Sequence, residues 1–373
     1  PFNQILYAKS INNIKSLNFF EDVNGQIIDG DEFNTKVVNI TVTEKATGEI
    51  FAGVGTGTEG TSFSFGVKEN NYLGRGVKVD SNLNVSDERI KGKFIVSNPN
   101  YKNSDKRIDL ALEATSIDRL GSSGYKSNIT GFTIGTQFEY LDDFRLGLST
   151  KNNIERIDVD GSASVKQKKQ EGNYFDSFIG LDFIYDKRNQ RYQTTSGFLS
   201  DYNVNLPVLS DTNTLTNVYN YKVFKELYEN NISSFSFLFK GASSLSGDDI
   251  KLSERMFIPG RKLRGFETGK IGPKDGSDFI GGNYVSTINA STSLPKILEN
   301  VQNVDIVMFA DAANIWGVDY DSSLDKSGIR SSVGIGLDWL TPVGPLTFSF
   351  AKPITKEATD IEETFRFNIG TSF

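Results

Sequence analysis

From Thr47 almost to its last residue this chain repeats one pattern, an apolar side chain at every second position. In "GIRSSVGIGLDWL", Ile329, Ser331, Val333, Ile335, Leu337 and Trp339 fall on one side, and Arg330, Ser332, Gly334, Gly336 and Asp338 on the other. A period of two is the period of a β-strand, whose successive side chains point to opposite faces. The same alternation sets Leu346, Phe348 and Phe350 against Thr347, Ser349 and Ala351, and Ile179, Leu181, Phe183 and Tyr185 against Gly180, Asp182 and Asp186. Phe235, Phe237 and Phe239 form another apolar face. The chain ends on "TFRFNIGTSF", with Phe365, Phe367, Ile369 and Phe373 opposite Arg366, Asn368, Gly370 and Ser372. Left bare, a terminal strand of this kind exposes both an apolar face and an unpaired edge, a template for aggregation.

Long two-faced strands, roughly sixteen of them, fit a closed antiparallel transmembrane barrel whose outside meets lipid and whose inside meets water. Closure resolves the terminal strand: it pairs with the first strand, and lipid covers its apolar face. Short links near Asp142 and Pro342 alternate with long ones around 156–173 and 245–279, as expected for a barrel with tight turns on one rim and loops on the other. The chain lacks any apolar run of the length a transmembrane helix needs, and its mean hydropathy of −0.33 suits strands that average to neutrality.

Residues 1–45 follow a different pattern. "NQILYAKSINNIKSL" spaces Ile5, Leu6, Ile11, Ile14 and Leu17 along one helical face, and "FFEDV" and "VVNITVTE" read as strands. Such an α+β unit is too short to bury a good core alone. The barrel is then expected over 46–373.

Composition removes several function classes. A net charge of −7 argues against nucleic acid as a partner. Without a single His or Cys, the Ser-His-Asp and Cys-His mechanisms and His-ligated zinc have no residues to run on. Neither a Ser-Lys nor a paired-carboxylate cluster stands out, so the expectation is a protein that is not an enzyme and needs no cofactor.

The longest loop reads "SERMFIPGRKLRGFETGKIGPKDGSDFIGGN". Its glycines suit a mobile solvent loop, yet Arg264 sits between apolar neighbours, and a guanidinium fork is suited to docking on a carboxylate. In "DIVMFADAANIW", Asp305 and Asp311 lie opposite Val304, Ile306 and Met308. If that face is luminal, a loop folded into the barrel brings Arg264 to Asp311.

"IPGRKLRGF", with "GP" and "GGN" after it, resembles the loop motif of the BamA-type outer-membrane protein assembly family. The stretches "ENNYLGRGVKV", "YDKRNQRYQTTSGF", "FADAANIW" and "LDWLTPVGPLTFSFAKP" are similar to that family in the same order. "YAKSINNIKSLNFFEDV" with "VNITVTE" resembles the later part of the last POTRA domain, which makes Pro1 a cut inside that domain. The resemblance implies that Arg264, Gly265 and Phe266 form a loop lock with Asp311. It also implies a second luminal acid on the preceding strand; Ser291 is taken as the matching position, with Asp305 or Asp338 as substitutes.

The resemblance further implies a lateral gate at the seam between the first barrel strand, with Phe51, Gly53, Val54, Gly55 and Gly57, and the last, with Phe365, Phe367, Ile369, Gly370 and Phe373. Glycines inside a strand weaken its pairing, although they also simply let a barrel wall bend. The expected function is folding and insertion of β-barrel proteins into the bacterial outer membrane, with a two-partner or TamA-type secretion pore or a diffusion porin as alternatives. The expected partners are unfolded outer-membrane barrels, accessory assembly lipoproteins and outer-membrane lipid, with the N-terminal part in the periplasm.

Overall fold

The computed structural model describes residues 2–33, 35–191, 193–228, 231–294, 304–325, 327–341 and 344–370. Sixteen antiparallel strands close into a single barrel, each paired with its neighbours in sequence and the last, Phe365–Ile369, with the first, Gly48–Gly57. The longest strands, Tyr125–Leu141 and Phe144–Val159, are joined at 142–143. Among the described residues no helix is long and apolar enough to cross a membrane, which has no bearing on strands that do.

The apolar face of each strand points outward. Val54, Phe63 and Phe65 on the first two strands are more than half exposed, and Ile335 and Phe350 repeat this around the wall. Buried in lipid, that surface is in its matching solvent. Aromatic rings pack across neighbouring strands near both rims, Tyr185 with Phe144 and Phe198 at one and Phe239 with Tyr284 and Trp316 at the other. Rings with an apolar body suit the two membrane interfaces.

Two loop boundaries differ from expectation. The loop at 156–173 shrinks to 160–171, because Phe144–Val159 and Gly172–Asp186 carry the pairing outward through Arg156 and Asp158. Charged residues on a strand that projects beyond the bilayer look like loop composition. The loop at 245–279 extends to 283, since Tyr284 opens the next strand. Pro342 and its turn lie outside the described residues.

The N-terminal unit is a helix, Gln4–Ser16, followed by the hairpin Phe20–Asp29 and Lys36–Glu44. The Asn3 side chain caps the helix by accepting from the backbone N–H groups of Ile5 and Leu6. Tyr7 and Ile11 press on the hairpin at Gly25, where an added Cβ would lie 2.1 Å from the Tyr7 hydroxyl.

Candidate functional site

The rim opposite the N-terminal unit is closed by the 245–283 loop, which folds back into the lumen. An apolar core forms there, inside the barrel: Ile258, Leu263, Phe266 and Ile271 from the loop meet Val285, Ala313 and Ile315 from the wall. Leu263, Phe266, Val285 and Ile315 are wholly buried. Burying a large apolar side chain stabilises by about 1.5–3 kcal/mol, so this cluster holds the loop in place before any charge is considered.

Arg264 is set into that core. Its Nε and Nη2 donate to the two carboxylate oxygens of Asp311 at 2.7 and 2.8 Å, and its backbone N–H donates to the same group at 3.1 Å. Asp311 has no exposed side-chain surface and Arg264 has one fifth exposed. The guanidinium carbon lies 3.3 Å from the centre of the Phe309 ring, adding a cation–π contact. On the far side, Ser332 donates its hydroxyl to the Arg264 carbonyl. Gly265 then turns the chain with φ +95°, and a Cβ there would crowd Ala351 and Ser332 at 3.3 Å. Both its conformation and its space call for glycine.

The second group on Asp311 is an amide and lies two residues before the expected one. Asn289, directly across the ladder from Asp311, donates Nδ2 to Asp311 at 2.9 Å and to the Lys262 carbonyl at 2.8 Å. Ser291 instead faces Phe309 in register and shares a hydrogen bond with Ser234. The two positions share a face, so only strand register distinguishes them. Asp305 and Asp338 pair with each other across their ladder, and Arg264 makes its ion pair with Asp311. Phe309 was the other residue sequence reasoning missed. Its signal was an aromatic ring among small and polar neighbours on a luminal face.

A second anchor fixes the start of the loop. Lys251 is buried, donates to Asp176 and, at 3.1 Å, to Glu155, and lies 3.5 Å from Glu254. Burial works against its charge, but Glu254, Glu155 and Asp176 outweigh burial and hold it above the ordinary lysine range. Burial also pushes Glu254 up to about 7, against the opposing pull of Lys251. Farther on, the wholly buried pair Arg330–Asp360, 2.9 Å apart, ties the wall to the last hairpin, and Asp360 accepts from the Gly272 backbone of the loop. Gly265 and Phe266 pair as a short ribbon with Glu363 and Glu362.

The seam is built more lightly. Among the described residues, which stop at Gly370, Phe365–Ile369 pairs with Gly344–Thr355 at five positions and with the first strand at Asn368–Gly57 and Ile369–Thr56. The Thr58 backbone N–H also donates to the Phe367 carbonyl at 3.1 Å. A Cβ on Gly57 would lie 2.4 Å from that carbonyl. Gly370 has φ +82°, and a Cβ there would meet the Val54 carbonyl at 2.5 Å. Gly53, Gly55 and Gly57 share the luminal face with Phe51, whose ring lies over Gly66 of the next strand, while Val54 looks out to lipid. Phe365 and Ile369 are outward and exposed, and Phe365 packs on Phe350 with ring centres 4.7 Å apart. Phe367 stacks on Phe365, and Phe373 lies outside the described residues.

The model of the Omp85 superfamily domain matches residues 71–373. Over 98% of its length the chain is 24% identical to the outer membrane protein assembly factor BamA of Neorickettsia risticii, and over 100% it is 24% identical to that of Neisseria meningitidis serogroup B. These matches cover 50% and 53% of the two relatives, so the chain spans about half the length of the curated relatives it matches. The crystal structure of BamA from Haemophilus ducreyi lacking POTRA domains 1–3 shares the fold with a TM-score of 0.89 at 22% identity, covering 98% of this chain and 78% of that one.

Proposed function

Because this chain belongs to the Omp85 superfamily and carries a barrel of the BamA type, we propose that it folds and inserts β-barrel proteins into the bacterial outer membrane, where it resides. The observation that carries this reading is the likeness to BamA assembly factors along essentially the whole chain.

The finer mechanism rests on the unequal seam. A chain entering hydrocarbon must satisfy every backbone N–H and C=O, at several kcal/mol for each group left unpaired. Among the described residues this seam carries two register pairs, fewer than any other joint of the wall, which makes the Gly48–Gly57 edge the cheapest place to expose unpaired backbone groups. An incoming client strand adds to that edge by β-augmentation, so its backbone groups exchange partners without passing through an unpaired state. The 245–283 loop, held by Arg264 on Asp311, keeps the rest of the wall in register while the seam opens. No covalent step is involved, and the protein acts without a cofactor. The N-terminal α+β unit is part of a POTRA domain on the periplasmic side, where unfolded clients and accessory assembly lipoproteins arrive.

The test is reconstitution of this chain in liposomes with an unfolded small outer-membrane barrel as client. Its folding is expected to run faster than in liposomes holding an equal amount of an ordinary porin. Equal rates, with the barrel itself shown to be folded, would speak for a secretion pore or for dependence on further domains.

A further inference from the structure

Arg366 is the one arginine of the last strand, and its side chain points into the lumen at the seam. Only one tenth of that side chain is exposed. Its Nε donates to Glu363 at 2.7 Å, and its Nη2 donates to the Phe266 carbonyl of the long loop at 2.7 Å. Its Nη1 lies 3.0 Å from Glu59, as an ion pair without hydrogen-bond geometry. Glu59 belongs to the turn between the first two barrel strands, so this contact crosses the seam. The same Glu59 oxygen accepts from the Thr268 hydroxyl of the loop at 2.5 Å. Gly260, also in the loop, is pressed against the group: a Cβ there would lie 2.1 Å from Glu59, 2.1 Å from Thr268 and 2.4 Å from Arg366.

Three chain segments therefore meet at one buried guanidinium: the last strand with Glu363, the long loop and the first turn. We propose that Arg366 and Glu59 form a clasp that holds the outer end of the seam shut, and that the long loop sets the clasp through Gly260, Phe266 and Thr268. Among the described residues the backbone supplies two register pairs at this joint, both close to Arg366, so a side-chain contact across it adds directly to what closes its outer end. Arg366 is oriented from one side by Glu363 and from the other by the Phe266 carbonyl, and these two contacts leave Nη1 aimed at the opposite strand's turn. A loop displaced by a residue's width would withdraw both the Phe266 carbonyl and the Thr268 hydroxyl, leaving Glu59 half-exposed to water with no partner on the loop. The position of the loop is thereby communicated to the seam. The inference deepens the proposed gate and rests on that reading for its purpose, although the clasp itself is a matter of geometry.

The test uses the natural absence of cysteine. Spin labels on Phe63→Cys and Ile354→Cys, outward positions on either side of the seam, report its width in liposomes through the distance distribution between them. Glu59→Gln removes the charge at an exposed turn and is expected to raise the population of long distances about fivefold, the upper range for a partly exposed ion pair. Gly260→Ala is expected to do the same, and the two together no more than either alone, since both act on one contact. Lys356→Gln breaks an ion pair with Glu362 on the same rim that does not cross the seam, and is expected to leave the distribution unchanged. An unaltered distribution in Glu59→Gln, or equal widening in Lys356→Gln, would overturn the clasp. Additive widening by Glu59→Gln and Gly260→Ala would overturn the role of the loop. The distance readout needs no client, so its failure would leave barrel assembly standing; failure of client folding in a chain whose clasp behaves as described would count against assembly alone.

Discussion

The wall that receives the long loop and the seam where the barrel closes are made from the same kind of strand, yet they are held together very differently. The Tyr284–Ser293 and Val304–Trp316 strands share ten register pairs and are cross-braced from inside by Arg264, Asn289 and a wholly buried apolar cluster. Among the described residues the seam has two register pairs, a luminal row of glycines and side-chain contacts gathered at its outer end. Local stability varies across a structure, and here the contrast follows from what stands behind each joint in the lumen. Behind the braced wall stand Leu263, Arg264 and Phe266 of the loop. On its first strand the seam has no luminal side chain to pack at Gly53, Gly55 and Gly57.

The largest expected effect would come from removing the brace. Arg264→Glu places two carboxylates in a dry site and is expected to cost about 3–5 kcal/mol, read as a fall in the unfolding midpoint in denaturant. Asp311→Arg added to it should recover part of the loss; independent, additive losses would mean that the two side chains do not act as a pair. A tether tests the contrast from the other side. A disulfide between Thr56→Cys and Ile369→Cys is expected to abolish the acceleration of client folding, and reduction should restore it. The same tether between Ile288→Cys and Ala312→Cys, opposed in the braced wall, should leave the acceleration intact. If both tethers are silent, the seam has no special part in insertion.

Acidity gives a smaller effect confined to the loop's root. Glu254 holds its proton up to about pH 7 in the folded protein, against an ordinary value of 4.5. Between those values the folded state binds more protons than the unfolded one, so this group's contribution to stability falls as pH rises from about 4.5 to 7 and is constant above. Unfolding midpoints are expected to decline across that window, and Glu254→Gln should flatten the decline. The smallest pair of effects compares two neighbours on one face. Asn289→Ala should cost about 1–2 kcal/mol through a lost hydrogen bond to a buried carboxylate, whereas Ser291→Ala should fall within about 0.5 kcal/mol. Equal costs would place the support for Asp311 elsewhere.

Most of the fold is legible in the alternation itself, because a barrel wall is an uninterrupted report of which side is wet. Phe365, Ile369, Val333 and Ile335 could be assigned to the outside from period alone. Arg264 and Asp311 are legible as a pair because an arginine inside an apolar loop needs an anion, and Asp311 stood on the polar face of a nearby strand. Register is another matter. Asn289 and Ser291 share a face two residues apart, and nothing local in "TINAST" fixes which of them comes opposite Asp311. Arg366 was visible as the polar member of the terminal strand, but its partners Glu59 and Phe266 are contributed by a turn and a loop, whose paths no periodicity describes.

Those partners bear on how the chain becomes a barrel. Arg264 and Asp311 are 47 residues apart in sequence, Arg366 and Phe266 are 100 apart, and Glu59 and Arg366 are 307 apart. The entropy of closing a loop grows with its length, so contacts between neighbours form before contacts between the two ends. The long loop can then dock on its own hairpin while the cylinder is still an open, curling sheet, and it is in place when the ends meet. Making the barrel would end at the joint proposed above as the gate, and a chain that stalls one step short of closure would present a bare first strand to whatever edge arrives next.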